Sequence, residues 1–550
     1  MKSDTPPETI DYDLRLLRTQ SATGYFACFP SGDCDFDACL EIARSRPNDE
    51  FMRKHLLRII GKWDSGKLSE RIEAVSADDH FLSALFYEAC LLNETFENLR
   101  PLFDKRLIER FIDQTPLIFI RSSQLEDHQL HLEWSRLFRN NIIDHQALLP
   151  PSEISLPLIL NQDRAAEALK VNTTLNDLFS AMPRPSVSVD TSGASPEQTY
   201  ETALKGLKNA AVVLGPEMRH QTALSHFSLL RPWEMSLTVS SGRHHFRVTG
   251  DQTAYGRGLN MQMAKAACAM EIVERRSAFA SFGPRNTTGY LKNHALMYAT
   301  VSELKRQNIF FLDPNKLSLE TPYRYSRLCW IEGESPTPQG IEPVWVPAQC
   351  VFLFCNLDEP KLFSALGSTG LASGNTMVEA KVNALLEVIE RDSESSVPFS
   401  ASQCFDVETE DPKLAGLLHN INEFGIQVQF QDLTLPMGVP CCKSFVVSQD
   451  GTVVKGTGAH LDAKRALISA LTETPYPYPN GPPSGQKLKG VVRVPLEALP
   501  NYSTGNPGQD LKLLEKLLMS NGFQPVYIDL TREDIGLPVV RAIVPGMEIL

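Results

Sequence analysis

One helical pattern is written into this chain twice. Ala264-Lys265, five residues, then Glu271-Ile272-Val273-Glu274-Arg275 recurs 116 residues later as Ala380-Lys381, five residues, then Glu387-Val388-Ile389-Glu390-Arg391. Residues three apart share a helix face, so each copy sets two carboxylates side by side, an arrangement that mildly destabilises an isolated helix. Something cationic is needed to offset it. A third, weaker copy, Ala463-Lys464-Arg465-Ala466-Leu467-Ile468-Ser469-Ala470-Leu471-Thr472-Glu473, keeps Glu473 in register with Glu274 and Glu390 and has Ala470 in place of the first carboxylate. A single Glu-x-x-Glu-Arg is ordinarily a solvated helix face. Repetition in register, within helices rich in Ala, Leu, Val and Ile, points instead to a built site, with a duplicated structural helix as the alternative.

Each copy follows glycines: Gly256-Arg257-Gly258, then Gly370-Leu371-Ala372-Ser373-Gly374-Asn375-Thr376, then Gly456-Thr457-Gly458-Ala459-His460. A lone Gly-x-Gly is most often a turn, but glycines also allow close backbone approach, and a helix N-terminus offers amide donors to an anion. Glu271, Glu274, Glu379, Glu387, Glu390 and Glu473 can converge only around cations. Hard oxygen ligands select Mg2+ or Ca2+, and Mg2+ usually bridges carboxylates to phosphates. A Mg-nucleotide is the natural ligand of such a set, and Arg275 and Arg391 either pair with the carboxylates or reach a phosphate. Neither G-x-x-x-x-G-K-[ST] nor a kinase signature set occurs, so an ATP site here is of another type. His460 reads as a capping or packing residue rather than a general base. The run Pro475-Tyr476-Pro477-Tyr478-Pro479 stops the third helix at Glu473-Thr474.

The net charge of −13 and pI near 5.5 argue against a general binder of nucleic acid or anionic membrane. The polar start Met1-Lys2-Ser3-Asp4-Thr5-Pro6-Pro7-Glu8 does not read as a signal peptide, and no run suits a membrane span, which makes the cytoplasm the expected location. The 11 cysteines are scattered with no C-x-x-C, so neither a disulfide framework nor a zinc knuckle is expected, and Cys441-Cys442 reads as a pair of buried thiols. Residues 35–145 carry helical spacing, as in Phe51 to Ile60 and Phe81 to Leu92. Breaks at Leu149-Pro150-Pro151-Ser152 and at Pro183-Arg184-Pro185-Ser186 place a boundary near residue 185, between a helical domain 1–185 and a mixed domain 186–550. Ser195-Pro196-Glu197 starts a capped helix; Glu234 to Val239 and Val344 to Pro347 read as strands, Pro347 marking an edge or an end.

At these residues the chain resembles the YcaO family. The resemblance rests on Gly256-Arg257-Gly258 with Glu271 and Glu274-Arg275, on Ala372-Ser373-Gly374-Asn375-Thr376 with Glu379-Ala380 and Glu387 to Arg391, and on Gly458-Ala459-His460-Leu461-Asp462 with Ala470 to Glu473. The ending Asp534-Ile535-Gly536-Leu537-Pro538-Val539-Val540-Arg541 to Glu548 belongs to it as well. It covers roughly residues 186–550. It implies an α+β fold: a YcaO-type domain of three related helix-bearing units, here preceded by a mainly α-helical N-terminal domain that recruits substrate or partner. It further implies ATP and Mg2+ as cofactors, with Glu271, Glu274, Glu379, Glu387 and Glu390 on the metal and Asn375, Arg391, Arg275 and Ser373 on the nucleotide. The implied reaction is phosphorylation of a peptide or protein backbone amide on oxygen, followed by addition of a side-chain nucleophile or external sulfide. Three positions differ from the family pattern: Ala267, Ser469 and Ser192. Azoline-forming members often end in Pro-x-Pro-x-Pro, whereas this sequence ends Glu548-Ile549-Leu550, so thioamidation is expected over azoline formation. The alternative is a non-catalytic ATP-binding accessory factor, as for methylthiolation of a ribosomal protein. A peptide or protein substrate is implied, with room for a sulfur-transfer or leader-peptide-binding partner and for a homodimer.

Overall fold

The computed structural model describes residues 9–18, 24–150, 152–159, 170–182 and 193–549. The start at Met1 to Glu8, the linker near residue 185 and Ser192 lie outside the described residues. In the N-terminal part, helices include Phe36–Ser45, Glu50–Ile60, His80–Leu92 and His128–Asp144. Asp49 starts the second of these by accepting from the Phe51 and Met52 amides, and Met52, Leu56 and Ile60, four apart, form its buried stripe. The helical reading of this part omits a strand pair that precedes the helices, Ile10–Arg18 and Gly24–Pro30. Its physical cause is plain in Ile10-Asp11-Tyr12-Asp13-Leu14-Arg15-Leu16, where apolar and charged residues alternate with period two.

That first strand joins the N-terminal part to the rest. It runs parallel to His244–Gly258, with Tyr12 opposite Val248, in a sheet continued by the antiparallel partner Phe227–Ser241. The two long strands turn at Gly242, where φ is +60°, and Trp233, Met235, Leu237 and Val239 face inward between exposed Glu234, Ser236 and Thr238. One apolar core extends from Tyr12 and Phe86 to Trp330 and Ile549. Asp49 is the polar tie across it: one carboxylate oxygen accepts from Tyr12 Oη at 2.7 Å, and the other from Asn356 Nδ2 at 2.9 Å as well as from its own helix amides.

A second sheet contains Gly340–Pro347, Leu328–Thr337, Val526–Asp529, Val539–Ile543 and Leu371–Ser373, in that order. The strand ending at Pro347 agrees with the reading of that residue as a strand end. A third sheet orders Val453–Ala459, Cys441–Val447, Gln429–Asp432, Cys404–Glu408 and Val492–Pro495. The three repeated helices, Met261–Ala278, Met377–Ser396 and Ala463–Glu473, each follow a strand of a different sheet.

The glycines explain how closely helix and strand meet. A Cβ on Gly256 would stand 2.0 Å from the Ala264 carbonyl oxygen, one on Gly456 2.4 Å from that of Ala470, and one on Gly458 2.4 Å from that of Ala466. These glycines serve contact between strand and helix rather than a phosphate-cradling loop. Cys34 and Cys39 are joined by a disulfide, a single cross-link rather than a framework. The other nine cysteines, Cys441 and Cys442 among them, are buried. No helix among the described residues is long and apolar enough to cross a membrane.

Candidate functional site

Asn260, Thr376 and Asp462 cap the three repeated helices, each accepting from an amide of the first turn. Part of the amide set that the sequence offered to an anion is therefore already served by side chains. His460 belongs to the same layer: its Nδ1 accepts from the Asp462 amide at 2.8 Å, within the turn that leads into the third helix. The repeated carboxylates stand instead toward the C-terminal halves of the helices.

Glu271 accepts from the Tyr255 amide at 2.6 Å, and Glu390 from Thr457 Oγ1 at 2.8 Å and from the Ala459 amide at 3.1 Å. Each of these glutamates thus reaches a strand that precedes a repeated helix. Arg275 ties the first helix together, with 3.1 Å to Glu274 and 3.8 Å to Glu271. Glu387 senses Arg275, Arg391, Glu390 and Arg541 electrostatically, and Glu473 senses Arg257, Arg391, Glu387 and Glu271. Carboxylates from all three helices therefore share one locus. Glu473 is held by Arg257 at 3.6 Å, while Arg391 turns to Glu394 at 3.1 Å.

The other residues assigned to the nucleotide or metal are engaged close by. Ser373 Oγ donates to the Met270 carbonyl at 3.2 Å. Asn375 Oδ1 accepts from Thr199 Oγ1 at 3.0 Å, and its amide donates to Glu379 at 2.9 Å. Glu379 thus closes the first turn of its own helix, about 12 Å along the axis from Glu387. Among the described residues no group of three or more His, Cys, Asp and Glu side chains is gathered tightly enough to hold a metal ion. Arginines and strand donors occupy the carboxylates instead.

The fit to a hard cation rests on the electrostatics. Burial raises the Glu390 carboxyl to about 7, with Glu473 adding to the rise against Arg391, Thr457 and Ala459. Burial likewise pushes up Glu274 and Glu387, in spite of Arg275, and raises Glu271 and Glu473. Desolvated oxygens with excess proton affinity are donors that a divalent cation would relieve. Two basic residues carried no assigned role in the sequence reading. Arg257 stands inside Gly-x-Gly, and fully buried Arg541 is a lone charge in the apolar run Val539-Val540-Arg541-Ala542-Ile543, which was its visible signal. Arg541 spends Nη1 on the Gly367 carbonyl at 3.0 Å and leaves Nε and Nη2 without a hydrogen bond beside Glu387 and Glu274.

A pH dependence follows. Carboxyls whose folded pKa lies above the unfolded value bind more protons when folded, so their contribution to stability is present at low pH and is lost as pH rises through the folded pKa. The Tm of the ligand-free chain is expected to fall between about pH 5 and the region near 7 where Glu390 titrates. Saturating Mg2+ with nucleotide should flatten the slope, and so should Glu390→Gln. Scanning calorimetry across that range checks it, and a Tm rising steadily to pH 8 would contradict the assignment.

Three comparisons bear on these residues. The family model described as YcaO cyclodehydratase, ATP- and Mg2+-binding, matches residues 255–480 and 474–548. An uncharacterized protein of Methanothermobacter thermautotrophicus is 31% identical over 330 residues, 54% of this chain and 81% of that one. Among solved structures, a heterocyclase in complex with substrate and cofactor has TM-score 0.49 and 20% identity, over 65% of this chain and 52% of its own, so the chain spans about half of that protein. The structure of YcaO from Methanopyrus kandleri bound with AMPPCP and Mg2+ has TM-score 0.43 and 23% identity, covering 64% and 91%.

Proposed function

Because the chain belongs to the YcaO family, whose description names ATP and Mg2+, we propose that its glutamate locus takes Mg-ATP and that the nucleotide is used to activate a backbone amide of a peptide or protein. The observation that carries this reading is the meeting of half-buried carboxylates from three related helices, each with its proton affinity raised by desolvation. Glu271, Glu274, Glu387 and Glu390 would hold Mg2+ at the shared locus, Glu379 would meet an ion only at a separate position beside Asn375, and Arg275, Arg391, Ser373 and Asn375 would lie toward the nucleotide. Mg2+ supplies charge neutralisation of the phosphates. The chain's own part is positional: Arg275 pairs with Glu274 and Glu271, Arg541 stands beside Glu387 and Glu274, and the strand donors Thr457, Ala459 and Tyr255 set the directions of Glu390 and Glu271.

The amide oxygen takes the terminal phosphoryl group and ADP leaves. Sulfide then adds to the carbon, and phosphate departs with the original oxygen, so that amide, hydrogen sulfide and ATP become thioamide, ADP and phosphate. A sulfur-transfer or leader-peptide-binding partner and a homodimer fit this scheme.

The test is turnover. With Mg-ATP, sulfide and a library of short peptides, the full chain is expected to release ADP and phosphate in a peptide-dependent way, and mass spectrometry should show sulfur replacing one oxygen. Loss of water without sulfur gain would make the product an azoline. ATP bound but never hydrolysed, with every peptide, would favour the accessory role. Ser469 is the observation behind that second reading, since its Cβ lies 2.8 Å from where a Gly458 Cβ would stand and it brings no cation to the third helix.

A further inference from the structure

A cavity of about 530 Å³ lies between the N-terminal part and the first repeated helix. Its walls are aromatic and aliphatic: Phe51, Phe119, Phe279, Phe352, Phe363 and Leu366 line it. Arg275 lines it too, one helical turn before Phe279, so the cavity reaches the side chain that binds Glu274 and Glu271. At the other end, Tyr25, Lys54, Arg58 and Phe119 also line a second hollow that continues toward Leu92 and Asn93 on the N-terminal helices. Tyr25 and Leu92 are about half exposed there. The two hollows make one trough from the surface of the N-terminal helices to the glutamate locus.

Charged side chains also line the interior, among them Arg58, which lies over the Phe29 ring with Nη1 making no hydrogen bond. Buried Glu50 is paired by Lys361 at 2.9 Å and by Lys54 at 2.8 Å. Gln252 is different: it is 7% exposed, lines the cavity, and its Nε2 is buried without an acceptor. A buried donor left open is unfavourable, and a bound acceptor relieves it. An apolar space in the size range of ligand pockets, with one open amide donor and an arginine at its inner end, is shaped for a flat or branched apolar group attached to a carbonyl.

Resting on the reading of the glutamate locus as the site of amide activation, we propose that this cavity binds a large apolar, phenylalanine-like side chain of the substrate peptide, adjacent to the amide presented to the glutamates. Gln252 Nε2 donates to a backbone carbonyl of the same peptide. The N-terminal strand pair and helices, outside the residues that the family model matches, thereby supply side-chain specificity to a reaction carried out by the repeated helices.

The probe is N-acetyl-4-benzoylphenylalanine methylamide, irradiated with the full chain and mapped by mass spectrometry, with Mg-ATP affinity measured in parallel by calorimetry. Labelling is expected within the segments holding Phe279 and Phe352 to Leu366. N-acetylphenylalanine methylamide should compete roughly 10-fold better than the alanine analogue. Ala365→Trp, a change at an exposed wall position, should cut labelling several-fold while Mg-ATP affinity and Tm stay unchanged. Should that variant not fold, Gln252→Leu is expected to weaken labelling in the same direction. Labelling elsewhere, labelling indifferent to these substitutions, or competitive loss with ATP, which would make the cavity a nucleobase pocket, overturns the proposal. Cavity labelling as expected with no Mg-ATP binding overturns the amide-activation reading alone and leaves an apolar-ligand site.

Discussion

Glu387→Ala is expected to lower the affinity of the chain for Mg-ATP by at least about 100-fold, close to loss of binding in a titration calorimeter. Glu387 stands on the middle helix, half-buried, within electrostatic reach of Arg275 from the first helix, of its own neighbours Glu390 and Arg391, and of Arg541 from the second sheet. Removing it would take one anionic oxygen pair from the bound Mg2+ and leave the charges of Arg275 and Arg541 less compensated, so that they repel that cation. Glu387→Gln separates these effects, because the amide keeps volume and one oxygen but not the charge. Its binding should be intermediate, and circular dichroism should show both variants folded. Unchanged affinity in both would remove the glutamate locus from consideration as the nucleotide site.

Gly256→Val should destabilise the chain by more than about 3 kcal/mol, a large part of the 5–15 kcal/mol typical of folded proteins. The reason is contact with rigid groups: an added Cβ meets the Ala264 carbonyl at 2.0 Å and the Cys268 amide at 2.5 Å, both backbone, so no side-chain rotation relieves it. The first repeated helix would have to leave its strand. Gly416→Ala is the contrasting case. Gly416 lies within Pro412–Glu423 with nothing within 4 Å of its added carbon, so helix propensity makes the change neutral or stabilising by up to about 1 kcal/mol. Denaturant melts of the two variants check both signs.

The repeated helices were legible because everything that marks them is local: apolar spacing, a capping residue and two carboxylates three apart fall within one sequence window. The same holds for the capped helix at Ser195, whose Gln198 completes a reciprocal cap. What could not be read was pairing across distance. Thr457 and Ala459 carry no mark that they will bind Glu390, and Tyr255 contributes only its amide to Glu271. The glycines show the limit most clearly. Gly256 and Gly458 advertised close backbone approach correctly, but a sequence does not say whether a phosphate or a helix is what approaches. The alternation in Ile10 to Leu16 was open to view; its parallel partner, more than 200 residues away, was not.

Asp49 has a consequence for how the chain comes apart. Its single carboxylate receives a hydroxyl from 37 positions upstream and an amide from 307 positions downstream while holding the start of its own helix. Protecting all those donors requires the first sheet, the N-terminal helices and the segment around Asn356 to be in place together. Amide hydrogens in the three segments should therefore exchange in one cooperative opening, with no step in which the N-terminal helices peel away and leave the rest folded.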